Sequence, residues 1–102
     1  MKTEGDIAAI RLNLGDHIRM LRQEQHLSQY DFSSMINLDR TYLIGIEKGR
    51  RNVSVDNLCK IAQGLGITLS ELCEGVDEAE SVRNRRILME ELLHKKEQKK
   101  AH

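Results

Sequence analysis

Proline is absent from this chain, cysteine occurs twice, and Tyr30, Phe32 and Tyr42 are the only aromatic residues. Without proline and with only seven glycines, the turn chemistry of a many-stranded sheet is missing, and helices joined by tight turns are favoured. With so few aromatics the core has to be aliphatic. Cys59 and Cys73 cannot make a disulfide framework and are expected to be free thiols in a reducing cytosol, filling small apolar positions on helices. No stretch approaches the ~20 apolar residues of a membrane span. The N-terminal residues lack the apolar centre of a signal peptide, so a cytoplasmic protein is expected. His17, His26, His94 and His102 show no metal-ligand spacing, and no Cys–His or Ser–His–Asp constellation or glycine-rich phosphate loop can be drawn. The expectation is a protein that is not an enzyme and needs no metal or cofactor. A formal net charge of zero argues against a general polyanion binder.

What is present is patterned. The 102 residues, 39% hydrophobic and 31% charged, suffice for one modest core. Charge is segregated: residues 40–51 are basic, 71–80 acidic and 82–102 basic again. Leu14, Ile18 and Leu21 recur at helical spacing, which predicts a first helix over about 12–25. Ile7 and Ile10 continue the period backwards, so residues 1–11 are an arm or an extension of that helix. Ser28 with Asp31 predicts the start of a second helix over 29–35, ended at Asn37, a residue that tolerates positive φ. Asp39 caps a third helix over 40–48, with Gly49 at its end. Ser54 opens a fourth over 55–64, closed by Gly66, and the Thr68/Glu71 capping box opens a fifth over 69–74. An acidic joint leads to a sixth helix over 79–97, with residues 95–102 expected to fray. The organisation read from this is all-α: a five-helix domain over 12–76 and a charged C-terminal helical extension over 77–102.

The second and third helices are joined by only about four residues, Ile36 to Asp39. A short joint holds two helices at a steep angle and projects the second as a ridge, of a size that enters the ~12 Å major groove of B-DNA. The groove-facing positions are then Arg40 and Thr41 and, one turn on, Ile44 and Gly45. Arg40 offers a planar fork for O6 and N7 of guanine. Thr41 suits a base edge or a thymine methyl, and Gly45 permits close approach. Leu43 and Ile46 fall on the opposite, core face. Ile44 either touches a thymine methyl or fills a gap beneath the second helix; the pattern leaves both open. Free backbone N–H groups and the Gln29 amide at the start of the second helix suit a phosphate. The polar loop Lys48, Arg50, Arg51 and Asn52 suits the sugar–phosphate backbone.

These residues carry a family resemblance. LGDHIRMLRQEQHLSQ, LDRTYLIGIEKGRRNVS and LCKIAQGLGITLSEL, from Leu14 to about Val76, resemble the phage-repressor and Cro type (XRE-like) of helix-turn-helix regulator. LDRTY followed by GIE, Gly and RN-x-S is similar to controller proteins of restriction–modification systems. The resemblance implies a dimer that binds a roughly palindromic operator on double-stranded DNA. It implies base reading by Arg40 and Thr41, a phosphate clamp at Ser28 and Gln29, and flanking backbone contacts from Tyr42, Lys48 and Asn52. It also implies an ion pair of Arg22 with Glu47 that is structural, and a dimer interface around the fifth helix with Ile67 and Leu69 as its apolar candidates. Val53 departs from a frequent proline and leaves the loop before the fourth helix less rigid. The sixth helix extends the dimer, folds back on its own domain, or docks a protein partner through residues 79–97. Docking of that kind is the mark of the alternative reading, an antitoxin-type regulator.

Overall fold

The computed structural model describes residues 2–100, and over them the chain forms six helices: α1 (Glu4–Glu24), α2 (Gln29–Met35), α3 (Arg40–Glu47), α4 (Val55–Leu65), α5 (Leu69–Leu72) and α6 (Ala79–Lys100). The described residues contain no strand, and the architecture is the expected all-α one of five helices and a helical extension.

The helices begin where small polar side chains satisfy orphan backbone donors. Ser28 Oγ accepts from the Asp31 N–H, Asp39 from Thr41 and Tyr42, and Ser54 from Asn57. Thr68 and Glu71 form the expected reciprocal box. α1 starts well before residue 12, at a second capping box made by Thr3 and Asp6. The backbone and hydroxyl of Thr3 hold the Asp6 carboxyl below the usual carboxylate range. Residues 4–11 are therefore the first two turns of α1, with Ala9 fully buried.

The first three helices end with one device. The residue at C′ takes a left-handed conformation: His26 (φ 57°), Asn37 (φ 53°) and Gly49 (φ 71°). The N–H groups of that residue and the next then return to carbonyls of the last turn. After α3, Gly49 N–H donates to Ile46 O at 3.0 Å and Arg50 N–H to Gly45 O at 2.9 Å. Asn37 and Gly49 were legible in the sequence; a histidine in this role at the end of α1 was not. Other boundaries differ slightly from expectation. Lys48 is the cap of α3 rather than its last residue, and α5 stops at Leu72 instead of 74. α6 stays helical through Lys100 instead of fraying from 95. Its strong helix formers and the Glu91/Lys95 spacing of i, i+4 favour that continuation. Residues 101 and 102 of the expected frayed end lie outside the described residues.

The core is formed by Ile18, Phe32, Leu43, Ile46, Ile61, Ala62, Leu65 and Leu72. It ties α1 to α5 into one body, aliphatic except for Phe32. α1 crosses the end of α3 at Gly15, where an added Cβ would stand 2.5 Å from the carbonyl oxygens of both Ile46 and Glu47. Only glycine allows that approach. α6 folds back antiparallel along α1, burying Val82. Arg86 bonds Asp6 at 3.0 Å, Asn13 bonds Ser81 at 3.3 Å and the Val76 carbonyl at 2.9 Å, and Arg85 pairs with Asp16.

Candidate nucleic-acid interface

The joint between α2 and α3 spans Ile36 to Asp39, and Asp39 Oδ1 takes the first free N–H groups of α3 at 2.7 and 3.2 Å. α3 then presents two faces. Leu43 and Ile46 are buried on the inner one, as the periodicity requires. Arg40 and Thr41 are exposed at its N-terminal end, while Ile44 and Gly45, one turn later, are half-buried.

The scaffold of this ridge is an ion pair inside the protein. Arg22 Nε meets Glu47 Oε2 at 2.7 Å and its second terminal nitrogen meets Oε1 at 2.8 Å, with both side chains buried. The remaining terminal nitrogen donates to the Leu27 carbonyl at 2.7 Å. The planar guanidinium thus fixes the end of α1, the following turn and α3 in one geometry. Its electrostatic consequence is as important. Glu47 is the one acidic residue of segment 40–51, and its charge is spent inward on Arg22. Arg40, Lys48, Arg50 and Arg51 are all exposed, so the surface is more basic than the net charge of the segment suggests.

The sequence-derived clamp residues sit differently from one another. Ser28 spends its hydroxyl as the cap of α2, accepting from Asp31 N–H at 2.9 Å. The Gln29 amide donates to Glu47 Oε1 at 3.1 Å; it belongs to the buried network and keeps a second N–H for other use. Lys48, Arg50 and Asn52 are exposed in the loop after α3.

Arg51 turns back onto α3 instead of standing out from the loop. Its guanidinium carbon lies 5.8 Å from the centre of the Tyr42 ring, within reach of a cation–π contact. Its aliphatic stem occupies the space a Cβ at Gly45 would need, with Cγ 2.8 Å from that position. Gly45 thereby makes room for Arg51. The Tyr42 hydroxyl is anchored in turn, accepting from Asn57 Nδ2 at 3.3 Å and donating to the Asn52 carbonyl at 3.5 Å. Sequence reasoning missed both the Gln29–Glu47 bond and the Gly45–Arg51 contact. The glycine in the middle of an otherwise regular helix was the available signal for the second.

The residues expected at a dimer interface are split. Ile67 is half-buried against its own core, whereas Leu69 is exposed on α5. Among the described residues no group of three or more His, Cys, Asp or Glu is placed to hold a metal, and no helix is long and apolar enough to cross a membrane. Cys59 and Cys73 are free and half-buried; burial, reinforced by the nearby Asp77 charge, pushes the Cys73 thiol up.

Comparison with known proteins places this geometry. The helix-turn-helix family matches residues 18–72. The control protein C.MunI of a Mycoplasma species is 50% identical over 70 residues, covering 68% of this chain and 95% of that protein. The crystal structure of the restriction–modification controller protein C.AhdI from Aeromonas hydrophila superposes with a TM-score of 0.60 at 40% identity, over 61% of this chain and 94% of that one. The controller C.Esp1396I, solved as a tetramer with its natural 35-base-pair operator, superposes with a TM-score of 0.61 at 29% identity, over 72% of this chain and 93% of that one.

Proposed function

The chain belongs to the helix-turn-helix family of sequence-specific DNA-binding transcriptional regulators, and from that premise we propose that it binds a two-fold-related operator as a dimer, with α3 in the major groove. The observation that carries this reading is the outer face of α3: Arg40 and Thr41 exposed at its N-terminal end, on a ridge braced from behind by a buried arginine–glutamate pair. Arg40 and Thr41 read base edges. Ile44 and Gly45 set how closely the ridge approaches, the exposed part of Ile44 meeting a thymine methyl. Lys48, Arg50 and Asn52 grip the flanking phosphates, together with the α2 start at Ser28 and Gln29. Arg51, stacked on Tyr42, stands between the two groups, close enough to α3 to reach a base or the adjoining phosphate.

One short recognition helix reads only a few base pairs, and specificity is commonly gained by pairing two copies on half-sites about 34 Å apart. The exposed Leu69 on α5 is the contact we assign to that pairing, with Ile67 supporting it from beneath. The controller relatives favour regulation of a restriction–modification type over the antitoxin-type alternative. The test is selection of bound sequences from a random duplex pool. The expected product is a two-fold-symmetric site with half-sites one helical turn, or a multiple, apart. Recovery of no enriched sequence would refute the proposal, and a single unpaired half-site would refute its dimeric part.

A further inference from the structure

Arg11 and Arg22 leave the same face of α1 and meet opposite fates. They are eleven residues apart, about three helical turns, so their side chains project in one direction. Arg22 is buried against Glu47. Arg11 is exposed, and among the described residues it takes part in no ion pair. The residues three and four places from it on α1 are Ile7, Ala8, Leu14 and Gly15, none of them a carboxylate that could pair with it. Asp6 is turned to Arg86, and Glu4 lies about 10 Å away along the helix axis.

The same face sets Arg11 beside the basic loop. Gly15, one turn on, touches the last carbonyls of α3, and Leu12 stands 2.7 Å from where a Cβ at Gly49 would lie. Arg11 therefore projects past the end of α3. It lines one cleft with Arg51 and Asn52, over the apolar side chains of Ile7, Ile10 and Leu14, and no acidic residue lines that cleft. Its volume is about 190 Å³, below the ~300–1,000 Å³ of a small-molecule pocket, so it offers a ligand its basic rim more than its interior.

We infer that Arg11 is a further DNA-phosphate contact, which carries the backbone grip of the loop after α3 onto the first turns of α1. Continuity and charge select the phosphate of a bound duplex. The cleft adjoins the face that α3 presents to DNA, and it shares Asn52 with the grip already assigned. Its arginines have no carboxylate between them, so a phosphate supplies the compensation that the protein lacks there. This contact rests on the operator reading of α3 and adds to it a residue outside the helix-turn-helix unit.

Arg11→Ala and Arg11→Lys in the full chain test it on the selected operator. Position 11 is exposed and alanine favours helix, so helicity should be unaltered. Arg11→Ala should weaken binding about tenfold per copy at ~50 mM salt and about threefold at ~200 mM, lowering the slope of log affinity against log salt by about one per copy. Arg11→Lys keeps a cation in place and should keep the slope. Arg83→Ala removes the same charge from α6, which packs on the other side of α1, and should leave affinity and slope unaltered. Ethylation interference should lose its sensitivity at a phosphate in each half-site for Arg11→Ala alone, with base preference intact. Equal affinity and slope for Arg11→Ala and the unaltered chain would overturn the contact, as would an equal loss in Arg83→Ala. A changed base preference would make Arg11 a base reader and overturn its assignment to phosphate. The operator reading falls, and this contact with it, only if the unaltered chain binds no duplex selectively, which is seen before any variant is compared.

Discussion

Replacing Glu47 with alanine removes the acceptor for both Arg22 bonds, at 2.7 and 2.8 Å, and for the Gln29 amide at 3.1 Å. The guanidinium stays buried with the Leu27 carbonyl as its one remaining partner. Stranding a buried charge in this way costs about 3–5 kcal/mol. The lower end applies here, because Leu27 still accepts one bond and the arginine lies at the rim of the core. A loss of ~3 kcal/mol is a large part of the 5–15 kcal/mol typical of a domain. At ~4–8 °C per kcal/mol, it corresponds to a fall in melting temperature of more than about 12 °C. Urea unfolding followed by far-ultraviolet circular dichroism measures it. Replacing both partners, Arg22→Met with Glu47→Leu, should recover most of the loss, since an apolar pair needs no compensating charge. Base preference, measured well below the melting temperature, should be unaltered in both variants. A loss under ~1 kcal/mol for Glu47→Ala, or a double variant no more stable than the single, would refute the buried-pair reasoning.

Gly15→Ala should cost about 1–3 kcal/mol by forcing α1 away from the Ile46 and Glu47 carbonyls, again read by urea unfolding; an unchanged midpoint would contradict the crossing described. Lys48→Ala and Arg50→Ala should each weaken binding to specific and random duplexes alike and reduce the slope of log affinity against log salt by about one. A loss confined to the specific site would make that residue a base reader. Cys73, its thiol raised by burial and by Asp77, has less thiolate than an ordinary cysteine at any pH below its own titration. It should therefore react with a maleimide more slowly than free cysteine at pH 8 and go on accelerating at higher pH, where free cysteine levels off. Equal rates, followed by mass spectrometry of the Cys59→Ser chain, would contradict this.

The parts of the fold legible in the sequence were those set by local chemistry. Ser28, Asp39, Ser54 and Thr68 begin helices because short polar side chains cap nearby N–H groups, and Asn37 and Gly49 end them because they tolerate positive φ. The inner face of α3 followed from the spacing of Leu43 and Ile46. What was not legible depends on partners distant in the chain. Residues 4–11 read as arm or helix because their pattern is weak, with Ala9 the one fully buried position among them. Gly15 carries no sign that it faces the end of α3. The tail offered three fates, and only the polar pairs with Asp6, Asn13 and Asp16 select folding back on α1 for its first half. At the interface, composition pointed to Arg51 as one more loop cation, and its return onto Gly45 and Tyr42 is a tertiary fact.

The central claim is that Arg40 reads a base while the basic loop only positions the protein. It is tested most directly by titrating the unaltered chain and Arg40→Ala against the selected operator and every single-base-pair variant of one half-site. The unaltered chain should lose ~1–3 kcal/mol at several positions, and Arg40→Ala should abolish discrimination at one G·C pair while keeping it at the others. A uniform loss of affinity at every position, with all base preferences intact, would show that Arg40 contacts phosphate and does not read a base.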